Sequence, residues 1–285
     1  MNVRKVDFKS SNANEAFRDS LLESGFAIIE NHPIPKDLIL DSFKNWNRFF
    51  ESNQKAEFLY DRKTQAGYFP YQSENAKDSP HKDLKEFFHY YRDSRLPEVS
   101  RKETLLLFQA LDEMGTQLLN WIDETIPENI KNFFSMPLSE MSLESPDTLL
   151  RPIYYPPLSG NEEPGAVRAA AHEDINLITL LPAATAPGLQ ARDLAGNWIT
   201  VECDPGTIVI NSGDMLKEAS RGYFPSTTHR VMNPEAELVR APRLSMPLFV
   251  HPNKNVRLSD SYTAGEYLEE RLREIGLLDN NESIM

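Results

Sequence analysis

The chain has 285 residues, of which 40% are hydrophobic, and a formal net charge of −13 at pH 7. This length suffices for a sizeable core, and because Cys203 is the only cysteine, a disulfide within the chain is excluded. The negative charge argues against nucleic acid as a partner, since that binding relies on Lys and Arg neutralising phosphates.

The first residues lack the apolar stretch of a secretory signal, and no segment approaches the ~20 apolar residues that span a bilayer. Together with the lack of a disulfide, this predicts a cytoplasmic protein with no membrane partner. Cys203 stands between Glu202 and Asp204. Because these acidic neighbours disfavour a thiolate, we expect Cys203 to be unreactive.

Two amphipathic helices are predicted in the first half of the chain, after a short strand at 26–29. The first helix carries apolar residues at steps of four, three and four, and the second helix covers about 102–122. The apolar stripe of each helix predicts packing against the core. These stripes contain Ile39, Phe43, Trp46 and Phe50 in the first helix, and Leu107, Leu111, Met114, Leu118 and Trp121 in the second.

From residue 150 onwards the pattern changes to short β-type runs separated by Pro, Gly and Asn, and a last helix begins near residue 264. Many short strands with turn residues between them favour a sandwich or a barrel. We expect an N-terminal region at 1–125 that covers the barrel mouth, a catalytic core at 126–252, and a C-terminal helix and tail at 253–285, all forming one functional unit.

The stretch "AAHEDINLITLLP" places His172 and Asp174 two residues apart, so an extended backbone points both to the same side. His-x-Asp alone is also what a solvated strand end looks like. A zinc-protease motif is excluded because Asn176 occupies the position of its second histidine. His229, at the head of a later β-run, completes two histidines and one carboxylate, the facial triad typical of non-haem Fe(II) oxygenases.

A possible anion-binding pair follows on another strand. Arg243 and Ser245 are two residues apart, where the arginine can bind a carboxylate through two hydrogen bonds and the serine adds a donor. An anion site beside three metal ligands suggests an organic acid that chelates the metal.

With these motifs in order, the sequence resembles the isopenicillin N synthase-like branch of the Fe(II)- and 2-oxoglutarate-dependent oxygenases. The resemblance covers nearly the whole chain and includes "GFAIIENHPIP", "GYFP", "YYPP", "HEDINLITLL", "PGTIVINSGDML", "STTHRV" and "RLS". It implies a mainly β fold, a double-stranded β-helix or jelly-roll barrel, with buttressing helices and Fe(II) at its open mouth.

The resemblance also implies roles for particular residues. His172, Asp174 and His229 match the iron ligands. Arg243 and Ser245 match the pair that binds the far carboxylate of 2-oxoglutarate, and Tyr155 matches a tyrosine that often hydrogen-bonds this cosubstrate. Asn211 lies at a position that is often polar in relatives, but we interpret it as a turn residue at a strand end.

The implied function is oxidation of a C–H bond by O2, with release of succinate and CO2 and with hydroxylation, desaturation or cyclisation as the outcome. One alternative is an Fe(II) oxidase that needs no 2-oxoglutarate, although residues 263–285 contain no glutamine that could serve as an additional ligand. Others are a non-catalytic jelly-roll module that binds a small molecule or a protein, and a zinc hydrolase. We expect a monomer or a weak homo-oligomer.

We expect the segment before the barrel to fold over the iron, and its mixture of aromatic and polar residues suits a small, partly polar substrate. The candidate substrate contacts are Gln65, Phe69, Phe88 and Phe249; alternatively, the three phenylalanines seal the core. The remaining histidines have no partner at ligand spacing, so we interpret them as structural or solvated. They are His32, His81, His89 and His251.

Overall fold

A computed structural model describes residues 3–76, 79–202, 204–235, 239–274 and 276–278. Cys203 and the polar tail at 279–285 lie outside the described residues, so the expectation for Cys203 stays a prediction. Within the described part of the chain, no helix is long and apolar enough to cross a membrane.

Two long helices dominate the helical part, and both have the predicted apolar stripes buried. The second is longer than predicted, because it begins directly after Pro97 and continues to Thr125. The α-helices are α1 (Ala13–Ser24), α2 (Lys36–Glu51), α3 (Glu98–Thr125), α4 (Glu128–Lys131), α5 (Leu138–Met141), α6 (Asp214–Ala219) and α7 (Ala264–Glu274), and a 3-10 helix covers Asn53–Phe58.

Most other elements are short strands, as the turn-rich second half of the sequence predicts. They are β1 (Lys5–Asp7), β2 (Phe26–Glu30), β3 (Gly67–Phe69), β4 (Glu86–Tyr91), β5 (Leu149–Leu150), β6 (Ile153–Tyr155), β7 (Ala169–His172), β8 (Ile178–Pro182), β9 (Leu189–Arg192), β10 (Trp198–Thr200), β11 (Ile208–Ser212), β12 (His229–Val231), β13 (Arg243–Ser245) and β14 (Leu248–Val250).

The strands form two sheets that pack face to face as a jelly-roll. The larger sheet has the order β1-β2-β11-β8-β14-β5-β4-β6-β13, with β3 paired to β4, and the smaller has the order β10-β9-β12-β7. Apolar side chains of both sheets meet between them, for example Val209 with Ala191, and Tyr155 with Val231. The double-stranded β-helix with buttressing helices is therefore confirmed.

Alternation along the larger sheet separates a helix-facing side from a side that faces the smaller sheet. On β8 and β11, Leu180 and Ile210 belong to the core shared with the helices, whereas Thr179 and Asn211 line a cavity between the sheets. This is the period of two that an extended backbone imposes. Each strand thus supplies both apolar packing and polar groups for a site.

The same alternation on β4 decides the position of Phe88. Its ring lies 5.0 Å from the ring of Trp46 and 5.7 Å from that of Phe49, inside the helix-facing core. Phe87 and His89, one residue to either side, point to the opposite face. Phe88 therefore packs α2 against the sheet.

Phe88→Ala should lower the free energy of unfolding by about 3–5 kcal/mol, because it removes a buried aromatic ring and leaves a cavity. Urea denaturation followed by circular dichroism measures this. Leu105→Ala, in α3 at 45% exposure, serves as the control and should change stability by about 0.5 kcal/mol or less. Equal effects of the two substitutions would contradict the core position of Phe88.

Candidate functional site

Three side chains with metal-binding atoms meet at one end of the smaller sheet. His172 ends β7 and His229 begins β12, and the two residues are directly paired across these antiparallel strands. Asp174 follows β7 by two residues, and its Oδ1 lies 3.8 Å from Nε2 of His172 and 3.7 Å from Nε2 of His229. Glu173 points elsewhere and accepts a hydrogen bond from Thr228. The fold therefore brings together the three residues that the sequence suggested as a group.

Backbone carbonyls fix the orientation of both imidazoles. Nδ1 of His172 lies 2.8 Å from the carbonyl oxygen of Ala170, and Nδ1 of His229 lies 3.1 Å from that of Thr227. Because a carbonyl only accepts, each Nδ1 carries the proton and each Nε2 presents a lone pair. Burial, together with the neighbouring His229, lowers the pKa of His172 to about 4, so its ring is neutral at pH 7.

The second carboxylate oxygen of Asp174 is held by two hydrogen bonds from the larger sheet. Thr179 Oγ1 donates to Asp174 Oδ2 at 2.6 Å, and Asn211 Nδ2 donates to the same oxygen at 2.8 Å. Burial opposes ionisation, but the two histidines and these donors hold the pKa of Asp174 below its ordinary value. Oδ1 is thereby left facing the histidines as a charged ligand atom.

The interpretation of Asn211 as a strand-end turn residue is wrong. It lies within β11, is buried, and orients the carboxylate. Thr179 was not among the candidate site residues predicted from the sequence. Both are polar residues inside otherwise apolar runs, "INLITLLP" and "GTIVINSGD", and a buried polar side chain of this kind needs a specific partner.

The donor set fits a divalent transition metal. Two neutral imidazole nitrogens and one carboxylate oxygen, all within 4.8 Å of one another, are the only such cluster among the described residues. Two histidines and one carboxylate are typical of non-haem Fe(II) sites that leave coordination positions open. The bonds from Thr179 and Asn211 are the outer contacts that such ligands usually have.

A small cavity extends from this cluster to the residues suggested for cosubstrate binding. Arg243 and Tyr155 are directly paired between β13 and β6, and the guanidinium carbon of Arg243 lies 5.0 Å from the centre of the Tyr155 ring. Arg243, Ser245 and Tyr155 are all buried and line the small cavity together with the three candidate metal ligands. A buried arginine here suits one end of a dicarboxylate that reaches the metal with its other end.

A cluster of largely buried charges that was not predicted from the sequence reaches the same cavity through Lys85 and Arg151. Lys85 Nζ lies 2.7 Å from Asp83 Oδ2 and 2.8 Å from Glu74 Oε2, and Arg151 Nη1 lies 3.6 Å from the same Glu74 oxygen. Burial opposes the charges of Glu74 and Lys85, but the two cations hold the pKa of Glu74 far below its usual range, and the acids raise that of Lys85. This set, the Lys85 cluster, is mutually neutralised.

The Lys85 cluster also connects the segment before the barrel to the metal-binding strand. Asp83 Oδ1 accepts a hydrogen bond of 2.9 Å from the backbone N–H of Ala170, and the carbonyl of Ala170 in turn orients His172. Leu84 N–H donates to the carbonyl of Val167 at 3.0 Å. Asp83 of the cluster is thereby linked, through the backbone of Ala170, to His172.

A larger cavity of about 1150 Å³ opens beside the metal-binding residues. It shares five lining residues with the small cavity: Lys85, Arg151, His172, Asp174 and Phe249. Of the predicted substrate contacts, Gln65 and Phe249 line the larger cavity.

The predictions for Phe69 and Phe88 need correction, because neither residue lines either cavity. Phe69 is stacked between Tyr60 and Phe87, with ring centres 4.0 and 4.6 Å away, and Phe88 lies on the helix-facing side of β4. Both are buried core residues. Alternation explains the error for Phe88, since His89, the next residue along the strand, is the one that faces the site.

Two histidines interpreted as structural or solvated prove to be cavity residues. His89 and His251 are buried and line the larger cavity. His32 and His81 lie elsewhere, with ring nitrogens 2.9 Å from the carbonyl oxygen of Gly206 and 3.0 Å from Glu163 respectively.

Two protein families match this chain, one in its N-terminal part and one in its C-terminal part. Residues 146–252 match the 2OG-Fe(II) oxygenase superfamily, and residues 5–107 match the N-terminal region described as non-haem dioxygenase in morphine synthesis. The first match contains all three candidate metal ligands as well as Tyr155, Arg243 and Ser245.

Individual proteins agree with these matches. The chain is 30% identical to homoarginine-6-hydroxylase 2-ODD-C23 of Glycine max over 253 residues, which are 81% of this chain and 75% of that protein. A crystal structure from Shewanella oneidensis, described as a "putative oxygenase", is 47% identical with a TM-score of 0.88, covering 98% of this chain and 100% of that one. A full-length Neurospora crassa protein, crystallised in complex with alpha-KG and thymine, shares the fold at 23% identity and a TM-score of 0.79, over 95% of this chain and 96% of that one.

Asn211→Ala should weaken Fe(II) binding by about ten-fold to a hundred-fold, because Asp174 loses a hydrogen bond that orients it. Anaerobic titration of the metal-free protein with Fe(II) measures the affinity. Thr207→Val, a buried substitution one residue before β11, is the matched control. If the two variants bind Fe(II) equally well, Asn211 does not support the metal site.

Proposed function

Because the chain belongs to the 2OG-Fe(II) oxygenase superfamily, in its isopenicillin N synthase-like branch, we propose that it oxidises a C–H bond of a small, partly polar metabolite. The protein is a 2-oxoglutarate- and Fe(II)-dependent dioxygenase that uses O2. The alternatives of a non-catalytic binding module, a zinc hydrolase and an oxidase independent of 2-oxoglutarate are therefore set aside. Hydroxylation, desaturation or cyclisation would accompany the release of succinate and CO2.

One observation carries the proposal: a single small cavity is lined both by the three metal-binding residues and by Arg243, Ser245 and Tyr155. We propose that His172, Asp174 and His229 hold Fe(II), and that the other three residues bind 2-oxoglutarate. Bound Fe(II), with 2-oxoglutarate and O2, supplies the oxidising chemistry.

The chain's own residues would position the reactants and exclude competing reactions. Nε2 of each histidine and Oδ1 of Asp174 would be ligand atoms, held in orientation by the Ala170 and Thr227 carbonyls and by the Thr179 and Asn211 donors. Arg243 would bind the far carboxylate of 2-oxoglutarate in a buried site, where a charged hydrogen bond is strong.

The larger cavity supports the substrate class. Its walls mix charged, amide and imidazole groups with Phe249, and the shared residues place it directly beside the metal-binding residues. A few fixed polar groups together with apolar area are typical of small-molecule sites. The relatives differ in what they act on or bind, homoarginine for the Glycine max enzyme by its name and thymine for the Neurospora crassa protein, so neither compound is transferred to this chain.

The function is tested by incubating the purified protein with Fe(II), 2-oxoglutarate and O2 and screening metabolite extracts for stimulated succinate formation. The proposal requires succinate to form in proportion to one metabolite consumed. It would be refuted if succinate formation stayed at the background of a protein-free mixture. An anaerobic mixture of protein, Fe(II) and 2-oxoglutarate should also show a weak visible charge-transfer band.

His229→Ala should abolish turnover and weaken iron binding severely, because one of three protein ligands is lost. Iron content after anaerobic loading and succinate formation are the two measurements. His81→Ala, which removes an imidazole outside the cluster, should retain both. Near-normal iron content in His229→Ala would rule out the proposed ligand set.

Arg243→Ala should raise the 2-oxoglutarate concentration needed for half-maximal succinate formation by about ten-fold to a thousand-fold, because a buried charged contact is lost. Lysine at this position should restore the affinity only in part, since it lacks the planar pair of donors. Arg240→Ala, which removes an exposed arginine, is the control. An unchanged requirement in Arg243→Ala would place the carboxylate contact elsewhere.

A further inference from the structure

Several buried polar atoms on the wall of the larger cavity have no hydrogen-bond partner among the described residues. They are Gln65 Oε1, His89 Nε2, His251 Nδ1 and Arg151 Nε. Gln65 is 5% exposed and His89 is 3% exposed. Polar atoms buried to this degree normally have a hydrogen-bond partner. Because these four atoms all lie around one cavity, they indicate a ligand that supplies the missing partners.

Two of these atoms have a hydrogen-bonding role that the backbone fixes. Gln65 Nε2 donates to the carbonyl of Arg62 at 2.7 Å, so Oε1 is the amide atom that remains, and it can only accept. His89 Nδ1 lies 2.9 Å from the carbonyl oxygen of Gln65 and therefore carries the proton. Burial, reinforced by the nearby Arg151, lowers the pKa of His89 well below its usual value. The ring is neutral, and Nε2 is a second acceptor.

From this geometry we propose that Gln65 Oε1 and His89 Nε2 form an acceptor pair that recognises an uncharged planar group of the substrate with two N–H donors, as found in a primary amide or a ureide. The proposal rests on the proposed function of the neighbouring metal site. Gln65 and His89 line the same cavity and are joined by one hydrogen bond. Their two acceptors suit a planar group that presents two N–H donors, whereas a hydroxyl offers only one.

The loop that carries Gln65 is held in place before any ligand binds. Asp61 accepts hydrogen bonds through its side chain from the backbone N–H groups of Lys63 and Thr64, and its carbonyl accepts from Gln65 N–H at 2.8 Å. Gln65 itself has φ of +54°, a left-handed conformation that is uncommon for a residue other than glycine. Such strain persists where the surrounding structure enforces it, often in a ligand site.

The backbone at Phe58 packs closely against Gly67, two residues after Gln65, and this contact also holds the loop in place. Gly67 has φ of +115°, and a Cβ atom there would lie 2.7 Å from the carbonyl oxygen of Phe58. Gly67 is paired with His89 between β3 and β4. The glycine therefore allows the loop to lie beside the strand that carries the second acceptor.

The charges around the acceptor pair favour a neutral ligand over a cation. Arg151 lines the same cavity as His89 and His251 and adds to the effect of burial in lowering the pKa of both, so it would repel another positive charge there. Glu74, the carboxylate that acts electrostatically on His89, is already engaged by Lys85 and Arg151. No net negative charge from this group remains to attract an ammonium or a guanidinium ion.

The test measures binding of matched probes to the full chain loaded anaerobically with Fe(II) and 2-oxoglutarate. The probes are 2-imidazolidinone, benzamide and uracil, each with its N-methylated counterpart that lacks N–H donors, together with methylguanidinium as a cationic probe. Calorimetric titration should show at least one N–H compound binding about ten-fold or more tightly than its methylated counterpart, because an unpaired buried acceptor is costly.

Variants assign this preference to the two residues. Gln65→Leu and His89→Phe should each reduce the preference to less than about one third of its wild-type value, since each removes one acceptor. Phe88→Leu, which alters β4 on its opposite face, should keep the preference. Gln65→Glu keeps an acceptor and adds a charge, so it should shift binding towards methylguanidinium and provides a second test if Gln65→Leu does not fold.

Three outcomes would overturn the proposal: no N–H compound binds better than its counterpart, the preference survives in both acceptor variants, or methylguanidinium binds wild type more tightly than every neutral probe. Succinate formation dependent on 2-oxoglutarate is measured on the same wild-type preparation. Its absence would refute the proposed function, whereas its presence without an N–H preference would refute only the acceptor pair.

Discussion

The carboxylate of Asp174 is almost completely buried, and a charge in such a position is tolerated only where hydrogen bonds and opposite charges compensate for lost hydration. Thr179 and Asn211 provide the hydrogen bonds from the larger sheet, and the two histidines approach from the smaller one. The site therefore exists only while both sheets are in register. Alternation along β8 and β11 makes this possible, because the same strands pack apolar side chains against the helices.

The segment before the barrel is joined to this centre by charge as well as by packing. Asp83 and Lys85 lie immediately before β4, and Asp83 accepts a hydrogen bond from the backbone of Ala170, which also orients His172. Within β4, His89 reaches the larger cavity. β4 and the residues just before it thus connect the candidate metal ligands, the buried charges and His89, so a shift of β4 would affect all three.

Much of this protein follows from local sequence alone. The two long helices are specified by apolar stripes at helical spacing, and the short strands by turn residues between β-type runs. His172, Asp174 and His229 could be proposed because each kind of side chain has a characteristic metal chemistry, and Arg243 with Ser245 because two residues apart on a strand share a face. These are properties of residue type and short spacing, which a sequence displays directly.

Only the tertiary structure decided which faces those strands present and which distant residues meet. It placed Phe88 in the core rather than at the cavity, and it brought Asn211 to Asp174 across 37 positions and Gln65 to His89 across 24. No local pattern encodes such meetings, because they depend on the order of strands in the sheets and on a turn held by Asp61. The sequence by itself therefore determined the fold class and the set of candidate ligands, while long-range packing determined how they are held and what surrounds the substrate.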